Sequence, residues 1–389
     1  MNGTSHRALK KASICLGAIF ATTVARAELP AEPIPNVETL SVPYPESMVF
    51  VHDVNMFGMI AGKISLVDVA SENRNFKGML DAAQFASFAE SRTRGELYVA
   101  ETHYSRGTRG DRSDVLTVYD KRTLKQTAEI PLPGGKRALI ASNRYTMQLV
   151  DNDRFLFLFN FTPAASVSMI DLQARKILSE TQIPGCGLIY PTGKRGFSSL
   201  CSNGSMFSAQ FDETGKLLKQ KTLPPFFDVD EDPLFGRPVL VNGTAYFPSF
   251  KGQVRVIDLS QDSPQIGKSW SLLSDDDRGE NWRPGGYQVG TANDAGLIYI
   301  LMHPGGADGS HKNGGSEVWV FDPVLQKRVQ RVKLEKWGLS IEVTRGKSPY
   351  LVVVNSEMQL DIYDANNGKW LKMIGGTALI PVSMFAVRQ

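Results

Sequence analysis

Apolar and polar residues alternate along this chain with a period of two, and the alternation repeatedly breaks at an aspartate followed by a polar turn. The first such phrase is "ISLVDVASENRNFKGML" (64–80), followed by "LTVYDKRTLKQTAEIPL", "VSMIDLQARKILSETQI" and "FSAQFDETGKLLKQKTL". The last three are "VRVIDLSQDSPQIGKSW", "VWVFDPVLQKRVQRVKL" and "LDIYDANNGKWLKMIGG". Each predicts a β-hairpin turning at Asp68, Asp120, Asp171, Asp212, Asp258, Asp322 or Asp364, spaced by 52, 51, 41, 46, 64 and 42 residues. Further short apolar strands, such as "ELYVAETHY" (96–104) and "RFLFLFNF" (154–161), fit between the hairpins. About four strands per 40–50 residues is the pattern of a β-propeller blade. The expected architecture is therefore all-β, a single seven-bladed propeller over 46–389. An eight-bladed ring and a β-sandwich array are the alternatives. Helical spacing surfaces only around "SLLSDDDRGENW" (271–282). Closure of the ring predicts that "IPVSMFAV" (380–387) pairs in the first or the last blade.

The first 45 residues depart from this rhythm. Arg7, Lys10 and Lys11 precede the apolar run "ASICLGAIFA" (12–21), and Ala25-Arg26-Ala27 has the small-x-small form of a cleavage site. Residues 1–27 are thus expected to be a signal peptide cleaved after Ala27. The run is too short to span a bilayer. Residues 28–45, "ELPAEPIPNVETLSVPYP", are rich in proline and lack periodicity, which predicts an extended arm.

Export changes the reading of charge. The full chain carries a net +3, but four of its Lys and Arg residues lie in the leader, leaving 39 basic against 40 acidic residues. That balance gives no reason to expect nucleic acid or an anionic membrane as partner. It also fixes the cysteine arithmetic. Cys15 leaves with the leader, and Cys186 and Cys201 remain as an even pair in an exported chain, for which a disulfide is expected. Closing so short a loop stabilises by roughly 3 kcal/mol in the chain-entropy picture. Two buried thiols are the alternative.

Self-sufficient chemistry is hard to find. The chain has no GxSxG elbow, P-loop, GxGxxG after a strand, HExxH or EF-hand loop. Asp275, Asp276 and Asp277 read as charge at a helix N-terminus rather than as a metal cluster. His303 and His311 bracket the glycine-rich "MHPGGADGSHK", which reads as a polar loop before a metal site, and no metal is expected. What stands out is composition. Two segments gather arginine with aromatic residues, as interface hot spots do. One is 103–114, read as a basic loop with Tyr104, Arg106, Arg109 and Arg112. The other lies in the longest inter-aspartate interval and holds Trp270, Trp282, Arg283 and Tyr287.

Four stretches in order, "HYSRGTRGDRSDVLTVYD", "PGCGLIYPTGKRGFSSLCSNGS", "NWRPGGY" and "GSHK…EVWVFD", resemble the heavy subunit of quinoprotein amine dehydrogenases, from about residue 46 to the C-terminus. "SWSLLSDDDRGENWRPGGY" followed by "MHPGGADGSHK" is closer to the aromatic amine branch than to the methylamine branch. The resemblance implies a periplasmic heterotetramer of two heavy and two light subunits, with an internal disulfide in the heavy chain. The light subunit is implied to carry tryptophan tryptophylquinone and the catalytic base, and to pass electrons to a small blue copper protein. No catalytic residue or cofactor is then expected on this chain. Tyr104 matches a position that lines the substrate channel in that family. By the same resemblance Tyr104, Arg106, Arg109, Arg112, Trp282, Arg283, Tyr287, His303 and His311 are expected along the channel and the light-subunit interface. A stand-alone binding propeller without catalysis is the rival expectation, and a metal-dependent lactonase-type propeller a distant third.

Overall fold

The computed structural model describes residues 39–388, so the expected signal peptide and most of the expected arm lie outside the described residues. Antiparallel strands dominate, and the longest helix among the described residues is the five-residue turn Asp275–Gly279. Ser274 caps that helix and Asp277 returns the bond, a complete capping box.

The strands form a β-propeller. One four-stranded sheet joins Met48–Asp53, Lys63–Asp68 and Phe76–Asp81 to the chain's last strand, Pro381–Ala386. The closing pairing, Val49 opposite Ala386 through Asp53 opposite Pro381, places the C-terminal strand where ring closure predicted it. The next three sheets run in simple order from Ser87–Glu90 to Gln126–Leu132, from Met147–Val150 to Lys176–Gln182, and from Cys186–Thr192 to Leu217–Leu223. The fifth begins at Val239–Val241 and has five strands.

The count of seven blades is corrected by the strands that follow. Five sheets stand as discrete blades, while the strands from Arg283 to Ile374 form one continuous eight-stranded sheet. The cause is the 17-residue strand Lys327–Val343, which pairs with Gly315–Asp322 through its first half and with Tyr350–Asn355 through its second. Gly338 pairs on both sides, opposite Gly315 and Asn355. No turn interrupts the strand, so the hydrogen-bond ladder carries straight through the expected blade boundary.

Each of the seven repeat aspartates does the same work. Its carboxylate accepts from backbone N–H groups two or three residues on, as Asp171 does from Gln173 and Ala174 and Asp322 from Val324 and Leu325. Asp68, Asp120, Asp212, Asp258 and Asp364 repeat the contact. The side chain substitutes for a backbone turn bond, which is why this residue type recurs there. Between sheets the core is apolar and aromatic, for example Phe157 against Phe197 and Phe211. Within the described part of the arm, Tyr44 is buried against Phe50, and its hydroxyl donates to the Lys121 carbonyl.

Cys186 and Cys201 sit opposite each other in neighbouring strands and are joined as a disulfide.

Candidate functional site

The expected basic loop is a hairpin instead. The strands Glu96–Arg106 and Arg109–Asp120 stay paired almost to their tip, with Tyr104 opposite Arg112 and Arg106 opposite Arg109, so only Gly107 and Thr108 turn. The alternation that ends at Val115 in the apolar pattern therefore continues as backbone pairing under a polar surface. Arg106 and Arg109 are exposed at the tip, while Tyr104 and Arg112 are half-buried. Arg112 grips Asp114 through Nε at 2.8 Å and Nη2 at 2.9 Å and also donates to the Arg137 carbonyl.

Arg137 is the anchor beneath this hairpin, and the sequence offered no sign of it. It is 1 % exposed. Its guanidinium donates to the carbonyls of Gln84 and Phe85 and to Thr102 Oγ1. Burial pulls its pKa down to about 10, opposed by the Asp114 charge beside it. Gln84 and Phe85 both carry positive φ, 50° and 54°, a conformation that needs such support in residues with a Cβ. Glu101, also buried, accepts from Thr117 Oγ1 and the Ala83 N–H, and His103 lies 3.7 Å from it.

The second group of nominated residues gathers on the eight-stranded sheet. Arg283 pairs opposite His303 in the ladder. The Arg283 guanidinium lies over the Phe250 ring at 5.5 Å, and His311 meets the same ring edge-on at 6.0 Å. His303 is buried, with Nδ1 against the Pro304 carbonyl and Nε2 without a partner, and burial lowers its pKa. Trp337 covers this corner and donates to the Asn313 carbonyl.

Tyr287 connects the two groups. Gly286, at φ 121°, would place a Cβ 2.7 Å from the Leu339 carbonyl, so only glycine admits the turn that brings Tyr287 in. The Gly286 N–H donates to the His311 carbonyl. The Tyr287 hydroxyl donates to the carbonyl of Ser142, in the segment that also holds Arg137. Arg237 lies 3.9 Å over the Tyr287 ring, and burial raises the Tyr287 hydroxyl pKa. Ser142 Oγ in turn meets His52 Nδ1 at 2.7 Å.

Trp282 has a different place from the others. It is 5 % exposed, packs against Trp319 with the rings tilted and their centroids 4.9 Å apart, and lies under the Arg331 guanidinium, so its side chain is core rather than surface. The acidic triplet is split as well: Asp277 turns inward, where its carboxylate accepts from the Ser274 N–H and from Arg328. Among the described residues no three His, Cys, Asp or Glu side chains gather as a metal-binding set.

The geometry is thus that of a rigid β-propeller frame that presents arginine and aromatic side chains from strand ends and connections of several sheets. Residues 46–383 match the family described as methylamine dehydrogenase heavy chain, and the chain belongs to that family. It is 28 % identical over 340 residues to the methylamine dehydrogenase heavy chain of Methylophilus methylotrophus, covering 87 % of this chain and 82 % of that one. With the same protein of Methylobacillus flagellatus it shares 30 % identity over 306 residues, 77 % and 76 % of the two chains. Two solved structures share the fold alone. Dihydro-heme d1 dehydrogenase NirN aligns with a TM-score of 0.52 at 14 % identity, over 93 % of this chain and 78 % of that one. The Swd1 β-propeller domain of Myceliophteria thermophila aligns with a TM-score of 0.54 at 10 % identity, over 86 % and 98 %.

Proposed function

We propose that this chain is the large subunit of a periplasmic, tryptophan tryptophylquinone-dependent amine dehydrogenase that converts primary amines, aromatic ones by preference, to aldehyde and ammonia. The family match over 46–383 supports the heavy-subunit part of this reading, and the aromatic preference rests on the resemblance of "SWSLLSDDDRGENWRPGGY" and "MHPGGADGSHK" to the aromatic amine branch. The light subunit docks on the strand ends that hold the Tyr104 hairpin and the Tyr287 turn, in a tetramer of two heavy and two light chains. Tyr104 stands at the entrance to the amine channel, and Arg106 and Arg109 meet the partner.

Held on the light subunit, the quinone would supply the electrophilic carbonyl and the two-electron redox chemistry, with a blue copper protein as the acceptor. The tryptophans of this chain do not fit that group. Trp282 and Trp319, the close pair among the described residues, are locked in the core, with each Nε1 donating to a glutamate, Glu280 or Glu317. What this chain does is hold shape. The Arg137 and Arg112 network fixes the hairpin root, so the Tyr104 ring keeps one position at the channel mouth and limits which amines pass.

The test is co-expression with and without a quinone-bearing light subunit, assaying 2-phenylethylamine, tyramine and methylamine with a dye acceptor. Activity is expected only for the pair. Turnover by this chain alone sinks the division of labour, and a soluble monomer that captures no light subunit supports the stand-alone binding propeller. In the active pair, Tyr104→Ala is expected to change KM or size preference several-fold while circular dichroism stays unchanged. Identical kinetics for small and aromatic amines would remove Tyr104 from the channel.

A further inference from the structure

At the opposite ends of the innermost strands from the Tyr104 hairpin, the central channel holds a cavity of about 230 Å³. Its walls come from the strands Ser87–Glu90, Met147–Val150, Val239–Val241, Gly290–Ala292 and Pro381–Ala386. Three arginines line it, Arg144, Arg345 and Arg388, with a single acidic residue, Glu90.

That acid is already engaged. Glu90 is 3 % exposed, lies 2.5 Å from the Lys121 ammonium, and accepts from the Arg388 backbone N–H at 2.8 Å. Two of the arginines are engaged less fully. Among the described residues, the hydrogen bonds and ion pairs of the Arg345 guanidinium run through Nη1, to the Ala292 carbonyl at 3.5 Å and Asp294 at 3.4 Å. Among the same residues Arg388 likewise uses Nη1, with the Glu90 carbonyl at 3.3 Å and Asp153 at 3.9 Å. Each therefore keeps its Nε and Nη2 edge, the side of the guanidinium that forms parallel bonds to two oxygens of one acid group. Arg144, bound through Nη2 to Glu342 and the Met384 carbonyl, keeps Nε and Nη1. Burial lowers the Arg388 pKa, with the charges of Asp153 and Glu90 opposing and those of Arg92 and Arg345 assisting.

We propose that this end of the channel is a binding site for a small oxyanion, a carboxylate or a phosphate, held between the free edges of Arg345 and Arg388 with Arg144 facing it. The site is independent of the amine chemistry and lies away from the face proposed for the light subunit.

Isothermal titration of the assembled protein with inorganic phosphate, with succinate, and with chloride at matched ionic strength tests this. Saturable binding of phosphate or succinate, one per heavy chain, is expected, and the two arms tell a tetrahedral from a planar oxyanion. Arg345→Gln and Arg388→Gln should each weaken it by roughly tenfold or more, the scale of one charge-assisted bidentate contact. Lys347→Gln, at an exposed neighbour, should leave it unchanged. Phenylglyoxal modification of the unsubstituted protein, mapped by mass spectrometry, supplies a readout that needs no variant: the bound anion should slow labelling at both arginines. Binding no better than chloride, variants that bind like the parent, or equal labelling with and without anion would each overturn the site.

Discussion

Single side chains set several properties of this molecule, and His52 is the clearest. It is fully buried, its Nδ1 meets Ser142, and its Nε2 has no partner. Burial lowers its pKa from 6.5 to about 4, with the Asp53 charge opposing and the Arg137 charge assisting. The folded chain thus binds fewer protons at this residue than the unfolded chain does. Stability is full above pH 6.5, falls as pH drops, and levels off near pH 4, at about 1.4 kcal/mol per pH unit in between. Urea unfolding at pH 7, 5.5 and 4.5 should show His52→Gln losing this slope, and parallel pH dependence in both proteins would contradict it. The repeat aspartates were readable in advance because each acts locally, on its own turn. Arg137 was not, since a buried cation held by distant carbonyls leaves no trace in periodicity or spacing.

At the scale of elements, the hairpins emerged where alternation and turn chemistry agreed, and failed where one of them was missing. The stretch 103–114 looked like loop because its side chains are polar, yet its backbone pairs to the tip. Between Lys327 and Val343 the reverse holds: Gly338 is the sole glycine, proline, asparagine or aspartate at one expected boundary, and a single strand crosses it. Gly314 sits beside that crossing at φ 79°, where a Cβ would come within 1.9 Å of the Gly338 carbonyl. Gly314→Ala is therefore expected to cost about 2 kcal/mol or more, from backbone strain plus a displaced strand. Chemical denaturation measures it, and a loss below about 0.5 kcal/mol would show that the crossing yields easily. Of the nominated site, Arg283 and His303 meet through ladder pairing and His311 joins them at the Phe250 ring, contacts that no local spacing predicts, whereas Trp282 lies in the core, which tryptophan composition alone does not distinguish from an interface.

The whole molecule depends on pairing its two ends. The strand Pro381–Ala386 completes the first sheet, and without it the strand Met48–Asp53 would present an open edge. A chain truncated after Thr377 is expected to aggregate where the full chain does not, read by size-exclusion chromatography of the two side by side. A truncated chain that elutes as a stable monomer would mean that the ring holds without its clasp. The general architecture was legible because a propeller repeats itself; the division into sheets was not, because it depends on where one ladder ends and another begins.

That clasp also sets an order of events. The partner of the first strand follows every other described strand along the sequence, so the torus cannot shut until all of its sheets have left the ribosome. Until then the polypeptide is an open ribbon, and the final pairing locks it.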